Sequence, residues 1–186
     1  AGKADAEELC WEIPLKDLKD GWNTVRLKFE DVASKTGTMD YTRVDYFRMY
    51  LNAVEKNADI VFIVDDIHAL PKDAFGDEPE IEGMILDCDS TKKVASSVLS
   101  NGVFSITESQ EEHKQGTGAF KSVGTTLVWW GVKLKEKVDI TAYKDGALHL
   151  WLYVSDPTLI TASSVAVELG SGGTNDVDEL EWRIPT

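Results

Sequence analysis

The amino-acid sequence predicts an all-β protein, an antiparallel β-sandwich. Three observations carry that expectation. Short apolar runs with strand alternation recur along all 186 residues. Gly- and Asp-rich turns such as Gly116-Thr117-Gly118, Lys144-Asp145-Gly146 and Gly170-Ser171-Gly172-Gly173 separate them. No stretch sustains the i, i+3, i+4, i+7 spacing of an amphipathic helix beyond two turns. Many short strands without alternating helices pack as two sheets, and a jelly roll is the expected version.

Taken in order, the strand-like runs of the first part are residues 9–13, 24–29, 46–51 and 60–67. Val25, Leu27 and Phe29 alternate with Thr24, Arg26 and Lys28, the pattern of a half-buried strand. Residues 15–19 suit a short helical turn before Gly21, and Thr36-Gly37 marks a bend. Residues 71–80 contain two prolines, one glycine and four acids, the composition of a linker. Beyond it, strands are expected at 81–87, 103–107, 119–123, 126–134, 147–154 and 164–169.

The chain ends by repeating the motif with which it begins. Gly2, Asp5, Glu8, Leu9, Trp11, Ile13 and Pro14 match Gly173, Asp176, Glu179, Leu180, Trp182, Ile184 and Pro185 at one constant shift of 171. Self-similarity of this kind shapes the whole fold expectation. Residues 1–70 read as the C-terminal half of one repeat, 71–80 as an inter-repeat linker, and 81–186 as the N-terminal half of the next. Each half alone buries too little core for a stable domain. The halves are therefore expected to close on each other as one circularly permuted sandwich, or to pair with complementary halves of another molecule by strand swapping. Two copies of the Trp strand then compete for one place in the sheet. Trp11 and Trp182 both read as core residues, each in phase with a Leu and an Ile.

Composition narrows the partners. Apolar residues make up 42% of the chain, which argues against disorder. Asp and Glu number 33 against 19 Lys and Arg, a net charge of −14 that disfavours nucleic acid and anionic membrane. It is compatible with cations or with neutral ligands such as sugars. No apolar run reaches membrane-spanning length, so no membrane insertion is expected. Cys10 and Cys88 lack metal-ligand spacing and read as small buried hydrophobes, with a bond between them left open.

Several segments carry a resemblance. Trp11-Glu12-Ile13, the run from Leu18 to Val25 (Leu-Lys-Asp-Gly-Trp-Asn-Thr-Val), Tyr46-Phe47-Arg48-Met49-Tyr50 and Val64-Asp65-Asp66-Ile67 resemble the C-terminal half of a galactose-binding-like jelly roll. Asp87-Cys88-Asp89, the run from Gly116 to Lys121 and the run from Leu150 to Pro157 are similar to its N-terminal half. Domains of this type serve as carbohydrate-binding modules in extracellular bacterial glycoside hydrolases and surface proteins, and some are non-binding spacers. The resemblance implies a structural calcium site at Asp87, Asp89, the Gln115-Gly116 loop backbone and Asp65 or Asp66. Calcium takes six to eight oxygen ligands, which carboxylates and carbonyls supply. Strand alternation is expected to turn one of Asp65 and Asp66 inward and the other outward.

A sugar site needs aromatic faces to stack on pyranose rings and polar groups to orient them. Tyr46, Arg48 and Tyr50 alternate with Phe47, Met49 and Leu51, while His149, Trp151 and Tyr153 alternate with leucines and Val154. In one sheet, these two rows would make a polar-aromatic concave face. Trp129 and Trp130 must face apart, one into the core and the other a surface candidate; Trp130 joins the candidate binding set. Catalysis finds no support: no nucleophile elbow, zinc-binding His pair or phosphate loop is present, and His68, His113 and His149 are scattered. Adjacent Asp65 and Asp66 cannot flank one glycosidic bond. The expected function is non-catalytic binding of a polysaccharide or other glycan, outside a bacterial cell or on its surface. The competing expectation is a structural spacer or adhesion repeat without glycan affinity.

Overall fold

The computed structural model describes residues 7–8, 18–51, 58–72, 74, 83–95, 99–100, 105–109, 112–124, 128–160, 164–172 and 179–185. Among the described residues thirteen strands follow one another: β1 (Glu7–Glu8), β2 (Gly21–Lys28), β3 (Ser34–Thr36), β4 (Val44–Leu51), β5 (Ile60–Leu70), β6 (Met84–Leu86) and β7 (Leu99–Ser100) come first. They continue with β8 (Ser105–Ser109), β9 (Ala119–Gly124), β10 (Val128–Val138), β11 (Ala147–Val154), β12 (Ser164–Gly170) and β13 (Glu179–Pro185). Helix among the described residues is limited to 3-10 turns, as at Phe29–Asp31 and Thr141–Tyr143.

The strands form an all-β antiparallel sandwich. One sheet has the order β13-β12-β4-β10-β7 and the other β2-β11-β5-β9-β8, with β6 also paired to β5. β1 and β3 make a separate two-stranded ribbon. Alternation explains the layers. Val25 and Leu27 of β2, Phe62 and Val64 of β5, and Leu148, Leu150 and Leu152 of β11 point inward from the six-stranded sheet. They meet Phe47 and Met49 of β4, Val132 of β10, Val165, Val167 and Leu169 of β12, and Leu180 of β13 in one apolar cluster. Burial of each large aliphatic or aromatic side chain contributes about 1.5–3 kcal/mol, which sets the sandwich against its conformational entropy.

Both sheets draw strands from either side of residues 71–80: β4 joins β10 and β12, while β2 and β5 flank β11. The C-terminal copy of the repeated motif forms β13 and pairs along the whole of β12, with Trp182 in register with Val167. Of the N-terminal copy only Glu8 is described, opposite Lys35 in the ribbon. The expected strand at 9–13, the turn at 15–17, Trp11 and Cys10 lie outside the described residues. Cys88 is a free, buried thiol, and burial pushes its pKa well up.

Two strands differ from expectation for identifiable reasons. β5 was expected at 60–67 but runs on to Leu70 because a bulge absorbs the break in its pattern. Between the pairs His149↔His68 and Trp151↔Asp65, β11 advances two residues and β5 three. Asp66 takes the surplus step with φ of 53°, a left-handed conformation that Asp tolerates better than most residues. β10 extends past 134 through a register irregularity that lets Val138 meet Val44.

Candidate functional site on the six-stranded sheet

The face of the six-stranded sheet turned away from the core carries an unusual row of polar and aromatic side chains. On β11 the residues between the core leucines are His149, Trp151 and Tyr153. On β2 their register partners are Arg26, Thr24 and Trp22. On β5 their partners are His68, Asp65 and Ile63, and Lys121 of β9 stands opposite Ile63. Three zones follow along β11: a His pair, a buried Trp, and a more open aromatic pair.

At the open end, Trp22 and Tyr153 meet edge to face with ring centroids 5.7 Å apart and an interplanar angle of 70°. Both are only partly buried, and Thr24 beside them is exposed. Loop 112–118 covers the middle zone. The backbone N–H groups of Lys114 and Gln115 donate to Asp65 Oδ2 at 2.7 and 2.8 Å. This anchoring places Lys114 Nζ 4.6 Å from the centre of the Trp151 ring, a cation–π contact. Burial pushes the Asp65 carboxyl up to about 6, against the two N–H donors that favour its charged form, with Asp66 adding to the rise.

The closed end holds His68 and His149, whose rings lie 4.6 Å apart and tilted by 37°. His149 is 0% exposed and His68 1%. Burial, then His68 and Arg26, holds the His149 imidazole down at about 3, so it is neutral over the whole physiological range. Burial likewise lowers His68. The His68 Nδ1 lies 3.1 Å from the Asp66 backbone carbonyl and 3.5 Å from the Asp66 Oδ2. Burial, then Asp87 and Asp89, raises the Asp66 carboxyl.

Each anticipated site residue now has a place. Tyr46, Arg48 and Tyr50 belong to β4 in the five-stranded sheet, whereas His149, Trp151 and Tyr153 belong to β11 in the other. The single face anticipated for them does not form. Alternation fixes which way a strand's residues point but not which sheet the strand joins. Tyr46 is fully buried, and Arg48 is ion-paired with Glu168, its register partner on β12. Tyr50 stands opposite Trp129, and Trp130 opposite the core residue Met49. Trp151, 5% exposed, is a packed residue rather than a platform. Of the anticipated aromatics with described side chains, Tyr153 remains on an accessible surface, joined by Trp22.

The anticipated metal residues do converge. The bulge interrupts simple alternation here, and both Asp65 and Asp66 are buried. Asp89 Oδ1 accepts from the backbone N–H of Thr117 and Gly118 at 2.6 and 3.0 Å. Asp87 pairs with Lys93 Nζ. Gly116 sits against the Asp89 carboxylate so closely that a Cβ there would collide with it. The loop thus turns N–H groups toward these carboxylates, and a lysine stands among them.

Sequence reasoning missed two features. Trp22 lies in phase with Thr24 and Arg26 on the polar row of β2, a signal that was readable. The Asp66–His68–His149 group depends on a β5–β11 register that joins residues about eighty positions apart, and only the Asp-x-His spacing hinted at it. Comparison with family models, curated proteins and solved structures finds no match for this chain.

Proposed function

We propose that this chain is a non-catalytic glycan-binding module, with its ligand lying across the open end of the six-stranded sheet. The observation that carries the reading is the partly exposed Trp22–Tyr153 pair. Aromatic surface left in water on a sheet that buries its other face is a mark of a binding site. Pyranose C–H groups stack on such rings, and nearby donors fix the orientation of the sugar. Thr24 lies opposite the adjoining Trp151, over which Lys114 stands, and Lys121, ion-paired with Glu112, lies beyond Ile63 on the row of Tyr153. The resemblance to galactose-binding-like modules points the same way and to work outside a bacterial cell.

Affinity electrophoresis in gels containing soluble polysaccharides tests the reading. Retardation in at least one polysaccharide is expected, with a loss of about tenfold or more in Trp22→Ala or Tyr153→Ala and little change in melting temperature. Retardation that survives both substitutions would sink it.

A spacer or adhesion repeat is the second reading, favoured by the duplicated motif that forms β13 at the edge of the five-stranded sheet. Absence of binding to any glycan at millimolar concentration selects this reading over the first.

A further inference from the structure

We infer that Asp66, His68 and His149 form a binding site for one divalent transition ion of the zinc class, set between β5 and β11. The three residues offer ligand atoms that all lie within 4.8 Å of one another. All three are buried, Asp66 being the most exposed at 6%. Neither ring nitrogen of His149 has a hydrogen-bond partner, and neither does Nε2 of His68. A buried, unpartnered imidazole nitrogen is destabilising, and a metal ion that takes its lone pair removes that penalty.

The surroundings prepare these residues for ligation. His68 Nδ1 can donate its hydrogen to the Asp66 carbonyl at 3.1 Å, which fixes the tautomer and leaves the lone pair on Nε2. An outer contact of this kind is how protein sites orient a metal-bound imidazole. Arg26 faces the pair from β2 and opposes added positive charge, while Asp65 and Asp66 supply two carboxyl groups on the other side. Two imidazole nitrogens and one carboxylate are a donor set for zinc-like ions and a poor one for calcium or magnesium, which take oxygen. Bonds of about 2 Å to a central ion require the triangle of ligand atoms to contract, with one water as the fourth ligand. Enclosed in this way, the ion would tie β11 to the bulge of β5. This inference does not rest on the glycan reading.

Equilibrium dialysis of the metal-stripped full chain against Zn2+, with a parallel Ca2+ arm, tests it. One Zn2+ per chain is expected to bind saturably and to raise the melting temperature, with no comparable effect of Ca2+. Binding should weaken about tenfold or more in His149→Gln, His68→Gln and the near-isosteric Asp66→Asn, and remain unchanged in the exposed-loop variant His113→Gln. Should His149→Gln fail to fold, Asp66→Asn and His68→Gln carry the comparison. No saturable Zn2+ binding, an equal response to Ca2+, or equal weakening in His113→Gln overturns the assignment.

Discussion

At the scale of single residues, Asp65, Asp66, His68 and His149 show how one irregular position reorganises a surface. Asp66 steps out of the β ladder with φ of 53°, and both it and Asp65 are buried. The titrations of His149 and Asp65 have opposite consequences for stability, best read with chelator present. His149 has a folded pKa of about 3 against an ordinary 6.5. Below pH 6.5 the unfolded chain therefore takes up a proton that the folded one refuses, and stability falls as pH falls toward 3. Asp65 is raised from 3.8 to about 6. Its contribution is fully present below 3.8 and is lost as pH rises through 6. The His149→Phe variant removes only the first effect. Its melting temperature should fall less than wild type's as pH drops from 6.5 to 3.8; parallel curves for the two proteins would contradict this electrostatic account.

At the scale of elements, the legible and illegible parts of the chain separate cleanly. The alternation in β2 and β11 is visible because each buries one face in the core and keeps polar or aromatic residues on the other. Val25 and Leu27 versus Thr24 and Arg26 could hardly be read otherwise. β5 resisted such reading: its eleven residues are almost wholly buried, so polarity does not report its faces. The bulge at Asp66 then shifts the phase without leaving a glycine to mark it. Which sheet receives β4 and which receives β11 is a long-range choice, and it undid the expected union of Tyr46, Arg48 and Tyr50 with His149, Trp151 and Tyr153. Loop 112–118 gives this level its own prediction. Two backbone N–H groups hold it to Asp65, and hydrogen bonds to a charged group contribute about 1.5–3 kcal/mol each. Asp65→Ala should speed tryptic cleavage after Lys114 by roughly tenfold or more. An unchanged cleavage rate would mean that the loop is held by other contacts.

At the scale of the whole molecule, the two sheets interleave strands from both sides of residues 71–80. Neither side owns a complete sheet: β2 and β5 need β11 between them, and β4 needs β10 and β12. Cooperative loss of both sheets follows, because removing either set of strands opens the shared core. Thermal unfolding should give one transition with coincident signals from tryptophan fluorescence and far-ultraviolet circular dichroism. Two resolved transitions would require the sides to be independent. The duplicated motif is reconciled with this arrangement through β13, where the C-terminal copy completes one edge of the five-stranded sheet. The opposite sheet then presents the open Trp22–Tyr153 zone beside the closed His68–His149 zone.

Tryptophan indole resonances report on that open zone most directly. The chain has six tryptophans, and Trp22→Phe identifies one of their nitrogen–proton signals by its loss. Titration with a soluble oligosaccharide drawn from a polysaccharide that retards the protein should move the Trp22 signal first and most. Movement confined to other tryptophans, with Trp22 unperturbed at saturation, would contradict the placement of the binding face on this sheet.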